Sequence, residues 1–205
     1  YTRGGVGNLK VQHAKTGLHG TDFQVVGGGT KLRIHSGLLG LHNVGPLAAA
    51  IAVATELGLD ADHIEAGLGK TQPFEHRMQP SHHGDVWTID DSYNGNPDGA
   101  RVAIEFLRDL TGHRRMYVTP GLVEVGSATE AVHTQIGLEL ASSVDVVVLV
   151  KNSATPYIAE GLKAGNYTGD ILWYDDGLSC LNALSQITKP GDVVLLQNDW
   201  ADNYA

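Results

Sequence analysis

Ile89-Asp90-Asp91-Ser92-Tyr93-Asn94-Gly95-Asn96-Pro97 places two carboxylates, a phenol and two carboxamides within one short run. Upstream, Asp85-Val86-Trp87-Thr88-Ile89 reads as a short buried strand. Downstream, Pro97 opens an amphipathic run carrying Val102, Ile104, Phe106, Leu107 and Leu110. Proline is tolerated in the first turn of a helix, where its missing N–H would have no partner anyway. The polar cluster therefore sits where a strand gives way to a helix, and in open α/β sheets ligands bind at the carboxyl ends of strands. Without a ligand, Asp91, Ser92 and Asn94 simply shape a turn and cap the helix, as these residue types commonly do.

From residue 75 onward the pattern alternates. Short apolar runs at 114–119, 144–150, 171–174 and 192–196 read as strands, and helical runs at 129–142, 154–164 and 178–188 separate them. Such alternation predicts an α/β domain with a Rossmann-like, doubly wound, mostly parallel sheet and right-handed crossovers. The run Val144-Asp145-Val146-Val147-Val148-Leu149-Val150 is almost wholly apolar, as a central strand covered on both faces requires.

The amino-terminal side differs. Residues 9–15, 21–26 and 31–35 are extended, and Gly27-Gly28-Gly29 joins the last two as a hairpin turn, predicting antiparallel strands. Residues 44–57 form a helix of small apolar residues with no broad polar face, expected to be buried on most sides. Asp60 caps a second short helix that Gly67 and Gly69 end, and residues 70–74 are a linker. The division is read as 1–72, a truncated segment of antiparallel strands and helices, and 73–205, the α/β domain.

Composition narrows the function. A net charge of -9 with scattered basic residues argues against a nucleic-acid partner. Cys180 is the sole cysteine, so an intrachain disulfide and a Cys-rich zinc site are excluded, and a reducing compartment is compatible. No stretch of about 18 apolar residues and no signal pattern is present, so a soluble, cytoplasmic chain without a membrane partner is expected. Because the sequence starts at Tyr1 without a methionine, it reads as the interior of a longer protein. His76, His82 and His83 lie on a turn-rich hairpin without clustered carboxylates, a poor metal site, so no metal ligand is expected.

Taken in order, Gly40-Leu41-His42-Asn43-Val44 before an alanine-rich helix, Glu75-His76-Arg77-Met78-Gln79, the run 89–97, and Thr119-Pro120-Gly121-Leu122-Val123-Glu124-Val125-Gly126 with His133 resemble the Mur ligases. The Asp-Asp-Ser-Tyr-Asn-x-Asn-Pro spacing is most similar to the branch that adds D-alanyl-D-alanine to a UDP-muramoyl tripeptide. The resemblance implies the end of the central, ATP-binding domain followed by the carboxy-terminal domain of an ATP-dependent amide ligase of peptidoglycan precursor synthesis. In that family a substrate carboxylate attacks the γ-phosphate of ATP to give an acyl phosphate, and the incoming amine displaces phosphate. Mg2+ bridges the phosphates.

The resemblance also implies roles. Arg77 contacts the ATP phosphates and is the catalytic candidate, because a guanidinium binds phosphate oxygens in a bidentate, permanently charged manner. Asp91 holds the ribose hydroxyls. Asn43, with His42 beside it, contacts adenine, unless Asn43 instead caps the following helix. Tyr93, Asn94 and Asn96 line the cleft for the incoming dipeptide, and Glu124 and His133 share its rim. His133 could equally be a packed histidine.

The departures are equally informative. No Gly-x-x-Gly-Lys-Thr loop occurs anywhere in the sequence, so the phosphate cradle, its lysine and the magnesium-binding hydroxyl would come from the missing amino-terminal part. Tight ATP binding and turnover by this chain alone are not expected. Pro46 stands where the family carries a second adenine-side asparagine, and Gln197-Asn198-Asp199-Trp200 replaces a Lys-Gly-Ser run. Two alternatives stay open: a non-catalytic nucleotide- or peptide-binding module derived from such a ligase, and a dinucleotide-dependent oxidoreductase. The latter lacks Gly-x-Gly-x-x-Gly in its first strand-helix turn.

Overall fold

The computed structural model describes residues 9–27 and 29–197, with Thr30 described by its backbone alone. Gly28 of the glycine turn and Asn198-Asp199-Trp200 fall outside the described residues. The chain divides into two compact units, Tyr1–Pro73 and Phe74–Ala205.

In the first unit, β1 (Lys10–Gly17), β2 (Gly20–Gly27) and β3 (Thr30–Ser36) form an antiparallel sheet in the order β1-β2-β3. Phe23, Val25, Leu32 and Ile34 alternate with polar neighbours, and period-two alternation sends them all to one face. That face packs on Val44, Leu47 and Ile51 of α1 (Val44–Glu56) and on Ile64 of α2 (Ala61–Leu68). Full burial of each such side chain contributes about 1.5–3 kcal/mol. Asp60 caps α2 as expected, its carboxylate accepting from the His63 N–H at 2.9 Å. Gly20 has φ 125°, and a Cβ there would lie 2.1 Å from the Ser36 carbonyl oxygen, so the β1–β2 turn admits only glycine.

One expectation for this unit is corrected. Helix α1 buries a single stripe, Val44, Leu47, Ala48 and Ile51, and leaves Ala49, Ala50 and Val53 exposed. A helix laid on one sheet needs only one apolar face, and alanine carries little apolar area to hide.

The second unit is a six-stranded sheet in the order β4-β5-β9-β6-β7-β8. Its strands are β4 (Gln79–His83), β5 (Val86–Asp91), β6 (Arg115–Thr119), β7 (Val146–Val150), β8 (Asp170–Tyr174) and β9 (Val193–Gln197). They alternate with α3 (Pro97–Asp109), α4 (Thr129–Leu140), α5 (Thr155–Ala164) and α6 (Gly177–Ile187). Every pairing is parallel except β4 with β5, so the doubly wound, mostly parallel architecture holds. Pro80 is accommodated because β4 is an edge strand, where a missing N–H breaks no ladder. On one sheet face Met116, Val118, Val146, Val148 and Val194 pack with Cys180 of α6.

Helices α4 and α5 meet at glycines. A Cβ on Gly137 would lie 2.1 Å from the Ile158 carbonyl oxygen, and one on Gly161 would lie 2.1 Å from that of Thr134. The backbones touch because neither position carries a side chain.

Strand β9, the last in sequence among the described residues, inserts between β5 and β6. The carboxyl ends of β5, β9 and β6 are thereby neighbours, bringing Asp91, Gln197 and Thr119 to one edge. Among the described residues, no helix is long and apolar enough to cross a membrane.

Candidate functional site

Strand β5 runs through Asp90 and Asp91, so the two carboxylates belong to its last ladder pairs and not to the turn that the sequence suggested. They face Leu196 and Gln197 in the parallel register with β9. Alternation along the strand puts Asp91 on the face of the fully buried Ile89, and Asp90 on the face of Thr88. Their partners differ accordingly. Asp91 Oδ1 accepts from the Met78 N–H at 3.1 Å, and Oδ2 accepts from Gln197 Nε2 at 3.0 Å. Asp90 Oδ1 accepts from the Ser92 N–H at 3.1 Å and from its hydroxyl at 2.6 Å, while Oδ2 lies 2.7 Å from His76 Nδ1.

Burial pushes the Asp91 carboxyl above the ordinary carboxylate value, against the pull of the Met78 N–H, Gln197 and Arg77. The hydrogen bond to the neighbouring Asp90 carboxylate raises the His76 imidazole above its usual value as well. One carboxylate is thus desolvated, and the other is tied to a titrating cation.

A tight turn before β4 presents Arg77. His76 and Met78, on either side of it, both adopt positive φ, 60° and 46°. Such backbone costs about 1–3 kcal/mol per non-glycine residue unless its surroundings hold it. Here they do: the His76 N–H donates to Gln79 Oε1 at 3.1 Å, the Tyr93 N–H to the His76 carbonyl at 3.2 Å, and the Arg77 N–H to the Phe74 carbonyl at 3.0 Å. The Arg77 guanidinium carbon lies 4.7 Å from the centre of the Tyr93 ring, and Nη1 donates to the Asn94 carbonyl at 3.3 Å. Phe74 meets Tyr93 edge-on at 6.2 Å. Arg77, from the turn before β4, and Asp91, Tyr93 and Asn94, from the end of β5 and the segment after it, come together, with Arg77, Tyr93 and Asn94 exposed.

Other expected residues lie apart or are otherwise engaged. Asn96 is the N-cap of α3, its Oδ1 accepting from the Gly99 N–H at 2.9 Å. Glu124 is exposed in the loop after β6 at φ 59°. His133 is fully buried: Nε2 accepts from the Leu122 N–H at 2.8 Å, and Nδ1 faces the Thr129 carbonyl at 2.6 Å. Both ring nitrogens are spent inside the fold, with the proton on Nδ1, so His133 clamps the loop after β6 from within. His82 stacks on Trp87 at 4.5 Å. Among the described residues, no group of three or more His, Cys, Asp or Glu side chains could hold a metal ion.

In the first unit, His42 and Asn43 lie in a short 3-10 turn before α1. The capping alternative for Asn43 is corrected: its carboxamide makes no cap bond to α1. Instead Nδ2 donates back to the Leu39 carbonyl at 2.7 Å and lies 3.1 Å from His42 Nε2.

Sequence reasoning passed over three contributors. Gln197 was noticed only as a departure from the family pattern, Tyr117 not at all. Asn152 joins two loops through its carboxamide, donating to the Pro120 carbonyl and accepting from the N–H groups of Ala154 at 2.8 Å and Thr155 at 3.0 Å. A polar residue closing an otherwise apolar strand, as Gln197 does, is a signal that could have been used.

The sequence profile described as "Mur ligase, glutamate ligase domain" matches residues 76–197, more than half of the chain. The chain belongs to the Mur ligase family. Its matched span opens at His76, whose imidazole meets Asp90, and closes at Gln197, whose carboxamide meets Asp91. This Mur ligase segment is 32% identical over 202 residues to the UDP-N-acetylmuramoyl-tripeptide--D-alanyl-D-alanine ligase of Mycobacterium tuberculosis (strain CDC 1551 / Oshkosh), covering 88% of this chain and 38% of that protein. It is 28% identical over 161 residues to the ligase of the same name from Synechocystis sp. (strain ATCC 27184 / PCC 6803 / Kazusa), covering 78% of this chain and 35% of that protein. The chain therefore spans little more than a third of the length of these Mur ligases. The crystal structure of MurF ligase from Thermotoga maritima in complex with ADP shares the fold, with a TM-score of 0.80 at 21% identity over 98% of this chain and 45% of that one.

Proposed function

We propose that this chain is the carboxy-terminal part of an ATP-dependent amide ligase of peptidoglycan precursor synthesis, which joins D-alanyl-D-alanine to a UDP-N-acetylmuramoyl tripeptide in the cytoplasm. Residues 1–72 are, in this reading, the end of the central ATP-binding domain, and residues 73–205 the carboxy-terminal ligase domain. The tripeptide carboxylate takes up the γ-phosphoryl group of ATP, and the dipeptide amine then displaces phosphate from the acyl phosphate to form the amide.

The observation that carries the reading is that Asp91 closes β5 while the Arg77 guanidinium lies over Tyr93, two residues beyond it, at the carboxyl end of that strand. An ionised carboxylate has about four acceptor sites, and Asp91 spends one on the Met78 N–H and one on Gln197. Each oxygen keeps capacity for a hydroxyl of a ribose. Arg77 offers a fork of N–H donors, of which the Asn94 carbonyl takes one among the described residues, and stacking on Tyr93 limits its rotamers. A held, always charged fork suits phosphate, and charge-assisted hydrogen bonds of this kind contribute about 1.5–3 kcal/mol each. Tyr93 and Asn94 border the same surface and suit the incoming dipeptide. Asn43 and His42 are assigned to the adenine side, and Glu124 to the rim.

When bound, ATP supplies the activating phosphoryl group. The residues of this chain position it and neutralise its charge. Mg2+ belongs to the complete ligase; among the described residues no side-chain group suits it, and none is assigned. The phosphate loop is also supplied from outside this sequence, so residues 1–205 alone turn over nothing.

The test is steady-state kinetics of the complete ligase. Asp91→Ala raises the KM for ATP by about tenfold, the loss of one or two charge-assisted hydrogen bonds, and Arg77→Ala lowers kcat. An unchanged ATP KM in Asp91→Ala removes that residue from the nucleotide site. ATP-dependent amide formation by purified residues 1–205 would overturn the assignment of the phosphate loop to another segment.

A further inference from the structure

A polar track crosses the core of the second unit beneath Asp91. Gln197 and Tyr117 are each 1% exposed, among the buried residues of β9 and β6. The Tyr117 hydroxyl donates to Gln197 Oε1, and Gln197 Nε2 donates to Asp91 Oδ2 at 3.0 Å. The register explains the geometry. Gln197 is paired with Asp91 across β5 and β9, while Tyr117 is paired with Leu195, two residues back along β9 and hence on the same face as Gln197. Three adjacent strands thus each contribute one link.

We infer that Gln197 is a positioning residue for the Asp91 carboxylate, and that the buried Tyr117 phenol fixes which way the Gln197 carboxamide faces. The inference rests on the proposed role of Asp91 toward ligand hydroxyls, and it explains why two polar side chains occupy the sheet core. Burying a hydroxyl or an amide without partners is destabilising, and leucine or phenylalanine would fill a similar volume without that cost. In this track each polar group has its partner, and the track ends at the Asp91 carboxylate, the last residue of β5.

The amide has two orientations. With Asp91 ionised, Nε2 must face it, because Oε1 would bring two oxygens bearing negative charge together. Tyr117 settles the other end by offering its O–H to Oε1. The track therefore holds the carboxylate in one rotamer and favours its charged form against burial. Arg77 works in the same direction, and Asp90 works against it.

The experiment is a carboxyl-carbon NMR titration of Asp91 in residues 1–205, comparing the parent chain with Gln197→Met, Gln197→Glu and Tyr117→Phe. Methionine keeps length and volume but cannot donate. The Asp91 midpoint moves upward in Gln197→Met, further upward in Gln197→Glu, and upward by less in Tyr117→Phe. Should Gln197→Met fail to fold, Tyr117→Phe, which deletes a single oxygen, reads the same midpoint. A role confined to packing would lower the melting temperature of these variants and leave the midpoint in place, and that result overturns the inference. In the complete ligase, Gln197→Met raises the ATP KM up to about tenfold with kcat retained. If the midpoint moves while ATP KM is unchanged in both Gln197→Met and Asp91→Ala, the positioning contact stands and the nucleotide role of Asp91 falls.

Discussion

His76 Nδ1 lies 2.7 Å from Asp90 Oδ2, while the opposite oxygen of the same carboxylate takes the Ser92 hydroxyl. The order of the three groups matters. Serine donates to the aspartate and not to the histidine, so this is a fastener between the Arg77 turn and the end of β5, without an activated nucleophile.

The fastener is pH-sensitive. The Asp90 carboxylate raises the His76 value above that of a free imidazole, about 6.5. A group whose folded value is raised stabilises the fold fully below its unfolded value, and the contribution disappears as pH rises through the folded value. Asp90→Asn therefore lowers the His76 midpoint in an imidazole NMR titration. It also destabilises the chain more at about pH 5 than at about pH 8, the two sides of the imidazole range.

Asp91 follows the opposite logic from an ordinary salt-bridged carboxylate. Its folded value is raised by burial, so stability falls as pH rises from the unfolded value, about 3.9, through the folded one. Asp91→Asn abolishes that fall, since a carboxamide does not titrate. In urea unfolding, the midpoint of the variant relative to the parent is more favourable at about pH 7 than at about pH 3, where the parent carboxyl is protonated. An equal difference at both values would mean that the Asp91 environment is not desolvated.

The α4–α5 contact predicts a large effect from one methyl group. Gly161→Ala forces its Cβ onto the Thr134 carbonyl and the Gly137 Cα, which is backbone and cannot step aside. The two helices must separate, lowering the unfolding free energy by about 1–3 kcal/mol. Combined with Gly137→Ala, the loss is smaller than the sum of the two singles, because the first separation makes room for the second methyl.

His133→Phe keeps a planar ring but leaves the buried Leu122 N–H without its acceptor. Each unsatisfied buried group costs about 1–3 kcal/mol, and the loss appears in chemical denaturation. Hydrogen exchange of the Leu122 amide accelerates as well, because that N–H has lost its acceptor.

Much of the second unit was legible from residues alone. Strands alternate with helices of uniform length, and the apolar run 144–150 can only be a covered central strand, so the parallel sheet followed. Pro97 and Asn96 announced α3 through local chemistry that needs no tertiary contact. The end of β5 was placed too early because Asp90 and Asp91 resemble turn residues. Their strand conformation depends on ladder bonds to β9, which lies about a hundred residues away. The same dependence hid β4, whose Pro80 and adjacent histidines have poor strand propensity and form a strand only as an edge against β5. Helix α1 misled for a related reason, since an alanine-rich run says how little polar surface a helix has, not how many faces will be covered.

The sequence by itself determined the α/β class, the alternation of strands and helices after β5, the family pattern and the segments that carry Arg77, Asp91, Tyr93 and Asn94. These are set by periodicity, turn chemistry and spacing, which are local properties of a chain. Only the tertiary structure decided which of those residues share a surface and what stands behind them. By threading β9 between β5 and β6 it set Gln197 against Asp91 and Tyr117 against Gln197, and by burying His133 it turned a candidate rim residue into an internal clamp. Hydrogen-bond partners and desolvation depend on strand order, and strand order is settled by packing between segments distant in sequence.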